Sequence, residues 1–115
     1  MDRMKKAVDA AHGGRLVERV FTAREIAYAK RRANPYERYA ARFAAKEAGM
    51  KALGTGWRRG VTWQDFEVVN EASGRPTLIL HGRAAEIAAE RGVKNIALSM
   101  THTAQQAMAM VILEN

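Results

Sequence analysis

With 115 residues the chain fits one domain and leaves little room for a second, and its 48% hydrophobic content can build a core that, at this size, covers only about 65% of the unfolded surface, so self-association would add stability. The absence of cysteine excludes disulfides and thiolate metal sites, and no apolar run approaches the roughly 20 residues of a membrane span. A net charge of +7 points to a negatively charged partner, whether nucleic acid, an acidic protein or a phosphorylated small molecule.

The first segment, MDRMKKAVDAAHGG, has basic residues but no apolar signal core behind them, which makes a cytoplasmic protein the expectation. Arg3 to Ala11 reads as a short amphipathic helix stopped by Gly13-Gly14. Thr22-Ala-Arg-Glu25 is a capping box and predicts a helix over about Ala23 to Arg31. The longest purely basic run, Lys30-Arg31-Arg32, is too short for a disordered nucleic-acid-binding arm. Asn34-Pro35-Tyr36-Glu37 is a second start signal, with Asn34 as N-cap and Pro35 at the first helical position; that helix should run to Leu53 and stop at Gly54.

The second half changes character. Asp65 to Asn70 and Thr77 to His81 read as the two strands of a hairpin around the turn Glu71 to Pro76. Arg83 to Arg91 is helical and closed by Gly92. Asn95 to Thr101 and Gln106 to Leu113 are two further strands, with His102-Thr-Ala near their turn. The class is α+β: a single domain over residues 1–115, helices first, then a mostly antiparallel sheet with one inserted helix.

RFAAKEAGMKALGTG, Arg42 to Gly56, carries the densest chemistry. Tyr36, Tyr39, Ala40, Phe43, Glu47 and Met50 recur at spacings of three or four, which places Glu47 on an apolar stripe. A buried carboxylate needs a cation. Lys51, four residues on, suits an intrahelical ion pair. A second reading uses the surplus charge: Arg42, Lys46 and Lys51 outnumber one carboxylate, and cations beside a glycine turn suit phosphate oxygens. A carboxylate among them would then hold Mg²⁺, which takes one or two carboxylates plus substrate phosphates and water. Gly54 alone serves equally as a helix C-cap, and the turn is not a Walker loop.

This stretch closely resembles the core motif of holo-acyl carrier protein synthases, the small bacterial phosphopantetheinyl transferases. VFTAREIAYA (Val20–Ala29) is similar to the family's second helix, Trp63–Ala84 to its hairpin and following helix, and IALSMTHTAQQAMAMVILE (Ile96–Glu114) to its closing hairpin. The resemblance implies transfer of the phosphopantetheine arm of coenzyme A to a serine of an apo acyl carrier protein, releasing adenosine 3′,5′-bisphosphate. It makes Glu47 a metal ligand that also helps take the serine proton, Lys51 a phosphate contact, and Mg²⁺ the metal, with Mn²⁺ as substitute. Arg42, Phe43, Lys46, Gly54 and Gly56 would line the coenzyme A site. His102, with Thr103, would bind coenzyme A near its phosphates; by itself, a histidine near a strand turn is equally a structural residue. Ser73-Gly74-Arg75-Pro76 would lie near the nucleotide, with Arg75 on the 3′-phosphate; Gly and Pro also explain a plain hairpin turn. Arg3, Lys5, Lys6 and Arg15 would dock the acidic carrier, or form an ordinary solvated face. The family's small members are trimers with the coenzyme A site between neighbouring subunits, so a homotrimer is expected. His12 and His81 receive no role, and Trp57 and Trp63 are assigned to packing.

Family members open with a strand resembling Gly-Ile-Asp-Ile-Val-Glu, whose aspartate is a second metal ligand. This sequence starts after that point and Asp2 is out of register; if that strand is truly absent, rather than missing from the sequence as given, weak metal binding and a poor rate are expected. Two other classes stay open. A nucleic-acid-binding α+β domain fits the charge, but no stacking motif of the RNA-recognition type is present and no nucleic acid is expected. A non-catalytic scaffold or phosphopantetheine-binding module fits the late start.

Overall fold

The first half folds where capping chemistry tells it to. The computed structural model describes residues 14–31, 35–55, 59–103 and 106–115. After α1 (Gly14–Val20), Thr22 caps α2 (Ala23–Lys30): its hydroxyl oxygen accepts from the Glu25 amide, and Glu25 Oε1 accepts from the Thr22 amide at 3.0 Å. Next comes α3 (Pro35–Leu53), 19 residues long. It ends as a left-handed cap, with Gly54 at φ +80 and the Gly54 and Thr55 amides donating back to the Met50 carbonyl.

A 3₁₀ turn (Trp63–Asp65) leads into β1 (Phe66–Asn70) and β2 (Pro76–Leu80), followed by α4 (Gly82–Glu90), β3 (Asn95–His102) and β4 (Ala107–Glu114). β1 pairs antiparallel with β2, Val68 opposite Leu78, and β3 with β4, Leu98 opposite Val111.

The long helix α3 is the spine. On one side Ala45, Met50 and Leu53 join Phe66, Val68, Leu78, Ala84 and Ile87, with Ile96, Leu98, Ala109, Val111 and Leu113 packed against them. On the other, Tyr39 joins Val17, Val20, Phe21 and Ala29. Gly49 permits this close approach: a Cβ there would lie 2.9 Å from Phe66 Cδ1 and 3.1 Å from Leu78 Cδ2. The strand β4 alternates, turning Ala107, Ala109, Val111 and Leu113 inward and leaving Met108, Met110 and Ile112 outward at 63%, 62% and 50% exposure.

The α+β class expected from the sequence is the class observed. Two details differ. Gly14, expected to belong to a helix stop, begins α1 instead, because Val17, Val20 and Phe21 have an apolar face to bury. The strands form two separate hairpins among the described residues, since α4 intervenes between β2 and β3. The expected helix over Arg3 to Ala11, the Asn34 cap, Gly56, Trp57 and the docking residues Arg3, Lys5 and Lys6 lie outside the described residues. So does any strand ahead of residue 1.

Candidate active site

Two faces of α3 hold its charged residues in opposite ways. Arg42 and Lys46, four apart, point inward at 3% and 0% exposure, while Glu47 and Lys51, also four apart, are exposed. Glu47 is therefore not in the core, contrary to the stripe expected from the sequence. Tyr39 and Met50 of that stripe are buried, but Tyr36, Ala40 and Phe43 are half-buried. The stripe borders the buried sector, whose middle is Arg42, Lys46, Gly49 and Leu53.

Lys46, expected beside the ligand, has its ammonium turned to partners inside the protein. Its ammonium carries three N–H donors, and all three have acceptors: Glu25 Oε1 at 2.7 Å, the Phe66 carbonyl at 2.6 Å and the Trp63 carbonyl at 3.2 Å. Burial holds its pKa below the ordinary lysine value, against the opposing pull of Glu25. Glu25 in turn accepts from the Val68 amide at 2.9 Å, so one buried pair ties α2, α3 and β1 together.

A second buried carboxylate lies beside it. Glu67 accepts from the Thr22 hydroxyl, from Arg24 Nη2 at 2.5 Å and Nε at 3.2 Å, and lies 2.9 Å from His81 Nε2. Burial pushes its pKa up, but the hydrogen bonds from Arg24, Thr22 and His81 outweigh that and hold it at about 2. The sequence reading assigned roles to neither carboxylate. The capping box marked Glu25, while Glu67 gives no signal beyond being an acid in a strand that buries Phe66, Glu67 and Val68 in succession.

Arg42, also expected to line a ligand site, is turned into the protein. Its guanidinium lies 4.0 Å over the Tyr28 ring and donates to Asn70 Oδ1 at 2.5 Å. Phe43, also expected at the ligand, stacks on Trp63 with ring centroids 4.8 Å apart.

The outer face is different. Among the described residues no hydrogen bond or ion pair holds Glu47 or Lys51, and the intrahelical pair offered by their spacing does not form. Both project from the helix end that leads into the Gly54 turn. Arg91, the C-cap of α4, donates to the Leu53 carbonyl there, and a Cβ at Gly54 would sit 3.2 Å from Arg91 Nη1. An exposed, unpaired carboxylate suits Mg²⁺, a hard cation that fills most of its shell with water and phosphate oxygens. No group of three His, Asp or Glu side chains that could hold a metal occurs among the described residues, so a metal at Glu47 would take its remaining ligands from elsewhere.

Other expected site residues lie apart from this face. Ser73, Gly74 and Arg75 are exposed and Pro76 is half-buried, in the turn of the first hairpin, where Arg75 pairs with Glu71 at 3.6 Å. His102 ends β3 with its Nδ1 3.8 Å from Glu37 Oε2, and the Thr103 amide donates to the Gln106 carbonyl at 2.7 Å. Ten residues of α3 separate Glu37 from Glu47, which is about 15 Å of helix. A single chain thus does not bring His102 to Glu47 and Lys51.

Comparisons with known proteins identify the family. A family model described as the 4′-phosphopantetheinyl transferase superfamily matches residues 2–111. The chain belongs to that superfamily. It is a transferase. A holo-[acyl-carrier-protein] synthase from Solibacter usitatus is 62% identical over 115 residues, covering 100% of this chain and 91% of that protein. Among solved structures, the holo-[acyl-carrier-protein] synthase of Neisseria meningitidis superposes with a TM-score of 0.88 at 28% identity, over 99% of this chain and 90% of that one. The Helicobacter pylori synthase, solved in complex with coenzyme A, superposes with a TM-score of 0.84 at 25% identity, over 98% and 92%. No helix among the described residues is long and apolar enough to cross a membrane.

Proposed function

We propose that this transferase moves the 4′-phosphopantetheine arm of coenzyme A to a serine hydroxyl of an apo acyl carrier protein in the cytoplasm. The observation that carries the reading is the outer face of α3, where Glu47 and Lys51 stand exposed and, among the described residues, unpaired, while the neighbouring cations are taken up by the protein. The synthase names of the relatives and the coenzyme A complex support it.

The serine oxygen attacks the β-phosphorus, the bond from that phosphorus to the bridging oxygen breaks, and adenosine 3′,5′-bisphosphate leaves with the bridging oxygen. Glu47 accepts the serine proton. The Lys51 ammonium donates to the diphosphate oxygens on which charge builds. Gly54, with no Cβ, lets the backbone approach them. Mg²⁺, or Mn²⁺ in its place, would be held by Glu47 and would supply further neutralisation of the diphosphate charge. Arg75, on its exposed turn, meets the 3′-phosphate. The basic Arg3, Lys5, Lys6 and Arg15 of the N-terminal segment would dock the acidic carrier.

His102 and Thr103 reach the coenzyme A from a neighbouring copy in a homotrimer. Two features support this: the helical length that separates His102 from Glu47 in one chain, and the outward Met108, Met110 and Ile112 of β4, an apolar row that a second copy would cover. A Met110→Lys change should lower the mass in solution, read by light scattering, and the transfer rate together.

The deciding experiment mixes the protein with coenzyme A, Mg²⁺ and apo acyl carrier protein and weighs the carrier by intact-mass spectrometry beside a metal-free control. A phosphopantetheine-sized gain that needs metal is the expected outcome. Coenzyme A binding without any gain would favour a binding module instead.

A further inference from the structure

We propose that Asn70 is a positioning residue: its carboxamide ties the hairpin turn 71–75 to the catalytic helix, and so sets that turn for the 3′-phosphate of coenzyme A. This rests on the function proposed above.

Asn70 is the last residue of β1 and bonds in two directions. Its Oδ1 accepts from Arg42 Nη2 at 2.5 Å, and its Nδ2 donates to the Gly74 carbonyl at 3.0 Å. Behind it the anchor is firm. Arg42 is 3% exposed and lies against the Tyr28 ring, and its Nε is buried without a partner. A buried guanidinium with one donor unsatisfied leans on each acceptor it has. Asn70 supplies a neutral one.

Ahead of it the turn has little else to hold it. Among the described residues its remaining hydrogen bonds stay inside it: the Glu71 amide to the Arg75 carbonyl at 2.8 Å, the Gly74 amide to the Glu71 carbonyl at 2.8 Å, and the Arg75 amide to Ser73 Oγ at 3.4 Å. Gly74 sits at φ +93, and a Cβ built there would touch nothing within 4 Å, so packing does not fix the turn. Its Arg75 side chain is 69% exposed. Beyond the strand pairing that closes at Asn70 and Pro76, the amide of Asn70 is the described side-chain link that carries the placement of α3 outward to the turn.

Asn has both a donor and an acceptor, and two substitutions separate them. Asn70→Asp keeps an acceptor for Arg42 and removes the donor to Gly74; Asn70→Ala removes both. Each variant is assayed with coenzyme A and with 3′-dephospho-coenzyme A, alongside thermal melts. We expect both variants to raise KM for coenzyme A about five- to tenfold, the worth of one hydrogen bond, with kcat within about twofold and KM for the dephospho donor unmoved. Asn70→Asp should melt no lower than the parent, which sets the KM effect apart from loss of structure. A parental KM in Asn70→Asp, or an equal penalty on both donors, would overturn the proposal while leaving the transfer reaction standing. A parent chain inactive with both donors would remove the functional reading, and this proposal with it.

Discussion

The inner and outer faces of α3 share a sequence and divide its labour. Arg42 and Lys46 face inward, and their charge is absorbed by Tyr28, Asn70, Glu25 and backbone carbonyls. Glu47 and Lys51 face outward, and among the described residues nothing absorbs theirs. In RFAAKEAGMK the two kinds are adjacent, so a basic side chain beside a candidate catalytic acid is not by that fact part of the site. What separates them is a partner supplied from elsewhere in the chain.

The contrast is broken most strongly from the inside. Lys46→Met leaves the Glu25 carboxylate buried without its cation and should cost about 3–5 kcal/mol of stability, read from denaturant midpoints. Lys46→Met with Glu25→Gln should recover part of that loss, which a double-mutant cycle reports. Acid attacks the same network. The folded pKa of Glu67, about 2, lies below its ordinary 4.5, so its contribution is fully present above about pH 4.5 and drains away as pH falls toward 2. That contribution is roughly 3 kcal/mol. Stability measured from pH 7 to pH 3 should fall less steeply in Glu67→Gln than in the parent.

Changes on the outer face should sharpen the comparison by leaving the fold alone. Glu47→Gln should lower transfer at least about a hundredfold, with stability within about 0.5 kcal/mol of the parent; a variant that still transfers at the parental rate would remove Glu47 from the chemistry. Lys51→Ala should raise KM for coenzyme A about tenfold, the worth of a charge-assisted hydrogen bond, again without a shift in melting.

Local signals were legible in the sequence. The Thr22 capping box and the Gly54 stop rest on contacts a few residues apart and both hairpins on pairing between successive strands, and they stand where expected within a residue or two. The failures are long-range. Lys46 reads as a surface lysine until Glu25, 21 residues earlier, comes beside it, and its long aliphatic stem makes the burial feasible. The stripe of Tyr, Phe and Met places Glu47 among apolar residues, but that stripe is not the buried face. A helix packed against both a hairpin and α1–α2 has no single such stripe. Gly14 begins α1 although glycine pairs usually end helices, because the apolar Val17, Val20 and Phe21 find a pocket against Tyr39.

The adjacency of Lys46 and Glu47 also ties the solvent-facing position of Glu47 to the register of α3. Slipping α3 by one residue turns it about 100°. Such a slip would swing Glu47 toward the slot filled by Lys46, bringing an acid up to the carboxylate of Glu25 and to two carbonyl oxygens. Like charges would meet where opposite ones now pair, so the slipped register is rejected. The orientation of Glu47 toward solvent is thus coupled to the buried pair of Lys46 and Glu25.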